Sequence, residues 1–236
     1  MKNLLKMQIT NMFHNKLFYI CLGISVTLQI LFNAFDLISM PSSLKAMPQA
    51  IGIISGGLDL LCIIFIALFS CNDFNDGTTK NIIARGYTKN ELLLSKYVIS
   101  ALGTFIIILS LALVMFISYL KNGIGYESSM LLIIINSIIK IGAFVVFYST
   151  MSFLLEKNST AILSCLFVPT IITSVLRIVD SKLNVHISNY WIENLSNKFI
   201  SNPSLSKFIP ATLGYLAYII IIVIVAIQIL KKKEIK

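Results

Sequence analysis

Charge is what this sequence has least of: only 12% of its 236 residues are charged, and ten are acidic. Ordinary soluble domains carry roughly 25% charged residues. A deficit of that size is what a lipid-facing surface requires. Polar mass is short as well. The longest polar stretches run to only about 25–30 residues, below the ~50 of the smallest usual domains, so a catalytic domain of normal size must sit on another chain. The four cysteines, Cys21, Cys62, Cys71 and Cys165, lie in or at the ends of apolar runs and form no C-x-x-C pair. They read as small buried apolar side chains, not as a disulfide framework. His14 and His186, the two histidines, fall on opposite sides of the threaded chain and cannot build a metal site. There is no H-E-x-x-H, no pair of glutamates within a span and no serine–histidine pairing, which argues against a membrane-embedded protease or transferase. A G-x-x-x-x-G-K-[ST] phosphate loop is missing too, so the chain does not bind ATP in that fashion. No cleavable signal is evident, because the first apolar run is too long for a signal core and no small-residue cleavage site follows it.

Long apolar runs are what the chain does have. Six of them fall at about 17–37, 49–71, 97–119, 130–153, 160–179 and 209–230. At ~1.5 Å per residue each crosses the ~30 Å hydrocarbon core of a bilayer. In lipid only helices and closed barrels satisfy every backbone polar group, and continuous runs lack the alternation of barrel strands. The sequence therefore predicts an all-α integral membrane protein with six transmembrane helices forming a single domain over residues 1–236.

Lysine and arginine orient the chain, since they concentrate in cytoplasmic loops. Lys2, Lys6, Lys16, Lys80, Arg85, Lys89, Lys96, Lys157, Lys231, Lys232, Lys233 and Lys236 fall on one side, twelve in all. Lys45, Lys121, Lys182, Lys198 and Lys207, five in all, fall on the other. Both termini are expected in the cytoplasm. The net charge of +9 serves topology and contact with anionic head groups, not nucleic acid. Residues 1–16, with Leu5, Ile9, Met12 and Phe13 at helical spacing and lysines between them, predict an interfacial helix.

The cytoplasmic connection between spans 2 and 3 is organised. Asp76 or Thr78 can cap a short helix, Gly86 suits a left-handed residue at its end, and Arg85 complements its C-terminal dipole. Thr88 and Glu91 form a capping box that starts the next helix. Ile82 and Ile83 supply an apolar tip, and the whole reads as a knob for a cytoplasmic partner, with a plain solvated loop as the alternative. The run Asp76-Gly77-Thr78, Lys80, Ile82-Ile83, Arg85-Gly86, Thr88-Lys89 and Ser95-Lys96 resembles the coupling-helix region of type-2 ABC transporter permeases, a family that includes bacteriocin- and lantibiotic-immunity permeases. The resemblance implies a separate ATPase subunit that carries the ATP and magnesium and grips this segment. It also implies a second permease subunit, the same or a sister chain, and a place in a bacterial cell membrane. The spans lack a ladder of polar residues, so an amphipathic or hydrophobic cargo is expected, and the resemblance suggests an antimicrobial peptide expelled for immunity.

Within the spans, Asp59 and Lys140 each lie about ten residues from the outer start of their helix, near 15 Å depth. A lone charge there costs ~2.5–3.5 kcal/mol, so an Asp59–Lys140 ion pair or a shared polar cavity is expected. Gly52 and Gly56 form a G-x-x-x-G suited to close helix packing, or to a hinge. In the outer segment 180–208, Ile187, Tyr190, Trp191, Leu195 and Phe199 recur at helical spacing, predicting either a short helix at the outer leaflet or a re-entrant pair.

Overall fold

A computed structural model describes residues 1–39, 47–75, 77–122, 128–197, 199 and 204–232. Among them the chain is helical: α1 (Lys2–His14), α2 (Lys16–Ser39), α3 (Met47–Asn75), α4 (Thr78–Ala84), α5 (Lys89–Asn122), α6 (Ser128–Leu155), α7 (Asn158–Leu183), a 3-10 turn at Ile187–Tyr190, and α8 (Leu205–Lys232). Four stretches are long and apolar enough to cross a membrane: Lys89–Leu109, Ile135–Leu155, Asn158–Leu183 and Leu205–Lys232. A fifth arises if Asp59–Phe74 and α4, which meet at 61°, count as one broken span, and Lys16–Leu28 is a shorter apolar helix. The chain is thus an all-α protein of membrane type. The count of six belongs to the sequence: of its first two runs, one contributes only the shorter apolar helix and the other only the broken pair.

α6 is the hub, packing against α3, α5, α7 and α8. One core holds Phe18, Phe65, Ile66, Phe69, Ile99, Phe144, Tyr148 and Tyr215. A second gathers Leu4, Ile82, Leu92, Leu93, Tyr97, Val146, Phe153, Ala226 and Leu230. That second cluster brings α1, α4, the start of α5, the end of α6 and the end of α8 to one end of the bundle. Most of the lysine-rich segments thus share an end.

Where α3 and α5 cross, a glycine is required. A Cβ at Gly103 would stand 2.6 Å from both Cε1 and Cζ of Phe65 and 3.0 Å from the Met12 sulfur. Phe65 cannot swing aside freely, because it is buried between Phe18 and Phe69, at centroid distances of 5.8 and 5.7 Å. Gly103→Ala is therefore expected to destabilise the protein by about 1–3 kcal/mol, the usual range for overpacking. Thermal unfolding in detergent measures it, and an unchanged midpoint would refute the close crossing.

α1 differs from the expected interfacial helix in the face it buries. Leu4, Gln8 and Met12, spaced i, i+4 and i+8 on one face, are buried, while Phe13 is 43% exposed. The helix runs alongside α5, from Leu92 and Leu93 near Leu4 to Gly103 near Met12. Its buried stripe is turned toward a polar residue, Gln8, because Gln8 has a partner inside.

Candidate functional site

Two places concentrate chemistry: the short helix between α3 and α5, and a charged cavity within the bundle.

α4 is bounded by two glycines in the left-handed region, Gly77 at φ 67° and Gly86 at φ 89°, a conformation that only glycine adopts without penalty. Gly86 donates its N–H to the Ile83 carbonyl at 2.9 Å, closing the helix as the sequence suggests. The capping box at the start of α5 also forms. Thr88 N donates to Glu91 Oε2 at 2.9 Å, and Glu91 N donates to Thr88 Oγ1 at 3.2 Å. The start of α4 is different. Gly77 is its N-cap, no side chain caps it, and Thr78 Oγ1 instead donates to the Asp73 carbonyl at 3.2 Å. Asp76 lies outside the described residues. Nor is the isoleucine pair a free tip: Ile82 is 3% exposed in the cluster with Leu4, Leu92 and Leu230, and Ile83 is half-buried. A helix of seven residues has only one face to anchor, and Ile82 supplies it. The surface left outward is Lys80, Asn81, Ala84 and Arg85.

Behind α4 lies an ion pair that the sequence did not disclose. Lys96 Nζ stands 2.9 Å from Asp73 Oδ2, with side-chain exposures of 1% and 6%. The same ammonium donates to the Phe69 carbonyl at 3.0 Å and sits 4.3 Å from the Phe69 ring centroid. Gln8 Nε2 donates to Asp73 Oδ2. One carboxylate thus ties the end of α3, the start of α5 and the middle of α1 together. Lys96, counted among the cytoplasmic loop cations, is buried instead, which leaves eleven against five. The available signal was position: Asp73 follows its apolar run by two residues and Lys96 precedes the next by one, so both fall at the membrane edge.

Deeper in the bundle, Lys140 Nζ on α6 is 2.6 Å from Asp59 Oδ2 on α3, and 5.1 Å from the Phe144 ring centroid. The two intramembrane charges singled out in the sequence are brought together. They line a cavity of about 230 Å³ with Leu60, Ile63, Phe144, Leu166, Thr170 and, unexpectedly, Glu193. Glu193 accepts from Thr173 Oγ1 at 2.9 Å and from Tyr148 OH at 3.4 Å. Sequence reading passed over Glu193 because it sits among aromatic residues in an outer connection. A lone acid in such company was the only available clue.

The connection reaches the cavity by folding back. Asp180 accepts the N–H groups of Ile187 and Ser188 at 2.7 and 2.9 Å, winding them into the 3-10 turn. The chain then turns inward. Trp191 packs edge-on against Phe147 and Tyr218, Tyr218 OH donates to the Tyr190 carbonyl at 2.9 Å, and Leu195 fills the space over Gly214. Thr173 lies ten residues before the end of α7, about 15 Å of helix, so the segment descends to that depth. The single amphipathic face expected for Ile187, Tyr190, Trp191, Leu195 and Phe199 does not form. Ile187 and Tyr190 are 48% and 74% exposed, whereas Ile192 and Phe199 are buried. Gly52 and Gly56 lie on α3, and their packing falls outside the described residues.

Fold and site together define an all-helical membrane-type protein with a charged, partly open cavity and a clamped surface helix at its lysine-rich end. The chain belongs to the DUF2705 family of proteins of unknown function, whose model matches residues 34–236. No curated protein and no solved structure matches it.

Proposed function

We propose that this chain is the permease subunit of an ABC transporter, set in a bacterial cell membrane with six spans and both termini in the cytoplasm. A separate ATPase subunit binds ATP and magnesium and grips α4, and a second permease chain, identical or sister, completes the path. The cargo is an amphipathic or hydrophobic molecule, an antimicrobial peptide being the case that the family resemblance favours.

The observation that carries this reading is the build of α4. It is a two-turn helix held between left-handed glycines and rooted by Ile82 in a cluster drawn from α1, α5, α6 and α8. Directly behind it Asp73 and Lys96 join α3 to α5. A push on α4 therefore meets a rigid lever joined to most of the bundle, which is what transmission from a soluble motor requires. Its outward residues, Lys80, Asn81 and Arg85, offer charge and hydrogen bonds, so the contact is polar and not the apolar insertion that Ile82 and Ile83 first suggested.

The test follows from that surface. Lys80→Glu with Arg85→Glu is expected to reduce co-purification of a nucleotide-hydrolysing partner at least tenfold, with an unchanged melting temperature for the chain alone. Reversing charges at a polar contact removes attraction and adds repulsion, and exposed side chains seldom affect folding. Affinity capture followed by identification of bound proteins reads the result. Absence of any nucleotide hydrolase from the wild-type complex would refute the transporter reading and favour a scaffold or sensor.

A further inference from the structure

We propose that the cavity between α3, α6, α7 and the descending 191–199 segment binds the ammonium group of an amphipathic amine, with Glu193 as the carboxylate that receives it.

The argument begins with charge. Three side chains of charged type line this space, Asp59, Lys140 and Glu193, beside the thiol of Cys165, which is hydrogen-bonded to Ser152. Lys140 is committed to Asp59 at 2.6 Å, so that pair is neutral. Glu193 has only hydroxyl donors, Thr173 and Tyr148, and among the described residues no Lys, Arg or His lies within ion-pair distance of it. A carboxylate about 15 Å below the outer end of α7 thus carries a charge that its neighbours do not offset. Ionisable groups at such depth pair with something or mark a ligand path. A monovalent cation restores neutrality.

The walls decide which cation. Leu60, Ile63, Phe144 and Leu166 are apolar and Thr170 adds one hydroxyl, the usual make-up of an organic-ligand pocket: mostly hydrophobic with a few placed polar groups. About 230 Å³ accommodates a short alkyl chain with its head group. Metal binding fits poorly, because the described residues hold no group of three His, Cys, Asp or Glu, and Asp59 is already taken. An alkylammonium suits both halves: N–H donors for Glu193, methylenes for the apolar wall. Read as the cargo site, the cavity rests on the transporter proposal and narrows its cargo to cationic amphipaths. Binding itself needs only this chain.

Trp191, the single tryptophan, stands two residues from Glu193 and reports on the segment without a label. The experiment titrates the purified full-length chain, without any ATPase, with n-octylammonium chloride and follows Trp191 fluorescence. Parallel titrations use 1-octanol, sodium chloride and potassium chloride. A saturable change with octylammonium alone is expected, weakened at least tenfold by Glu193→Gln and partly retained by Glu193→Asp. Should Glu193→Gln lower the folded yield, Leu166→Trp fills the cavity with every charge intact, and its loss of octylammonium binding is then followed calorimetrically. Equal affinity for 1-octanol would show apolar partition only, and full competition by sodium or potassium would make this an inorganic cation site. Undiminished binding in both Glu193→Gln and Leu166→Trp would place the amine elsewhere. Each of these outcomes overturns the proposal while leaving the α4 reading standing, and failure to capture an ATPase leaves the cavity untouched.

Discussion

Replacing Lys96 by methionine is expected to cost about 3–5 kcal/mol of stability, enough to abolish accumulation of folded protein. The ammonium is 1% exposed, and its partners include the Asp73 carboxylate, the Phe69 carbonyl and the Phe69 ring. Its removal strands Asp73, which is 6% exposed at the side chain, with Gln8 as its one side-chain donor among the described residues. Asp73→Leu alone strands the ammonium and is expected to lose a similar amount. Removing both charges is a different matter, because apolar replacement of a whole buried pair is often neutral. Asp73→Leu with Lys96→Met is therefore expected to recover most of the loss, although Gln8 then lacks its acceptor. Unfolding in detergent, monitored by circular dichroism, measures all three. If the double variant is no better than either single one, the coupling is absent and the pair does not hold α3 to α5.

The second large effect belongs to the cavity. Lys140→Asp removes the one cation of the cavity and adds a carboxylate beside Asp59 and Glu193, and Asp59→Lys places two ammonium groups there with Glu193 alone to offset them. Each is expected to lower stability by about 3 kcal/mol, the cost of an uncompensated charge at mid-bilayer. The combined reversal restores one charge of each sign and is expected to recover more than half. Recovery stays incomplete because Phe144 and Glu193 remain in place and a lysine on α3 meets them from another direction. Folded yield in membranes, followed by the melting temperature in detergent, reads this cycle. A double variant as weak as the worse single one would mean that the two side chains act separately.

How much was legible depends on the range of the interaction. Gly86 and the Thr88–Glu91 box are local devices, each closed within a few residues, and their chemistry is written in adjacent letters. Asp59 and Lys140 could be matched because a bilayer makes depth a countable quantity: equal numbers of residues from the same surface put two charges at one level. Ile82 was misjudged for the opposite reason. Which side of a seven-residue helix turns inward is fixed by Leu4, Phe153 and Leu230, residues remote in the chain. Nothing in the sequence marks Gln8 for burial, because an isolated glutamine suits water, and only Asp73 gives it reason to be buried.

Composition and run length by themselves determined the class: with so little charge and so many unbroken apolar stretches, no other solution than lipid-embedded helices satisfies the backbone. Tertiary structure decided which polar side chains are opposed. Asp73 meets Lys96 and Gln8, and Glu193 comes to the wall that Asp59 and Lys140 share, because the connection after α7 turns back into the bundle instead of lying across its surface. Such meetings depend on the packing of helices far apart in sequence. Periodicity along one helix carries no information about which neighbour it will face.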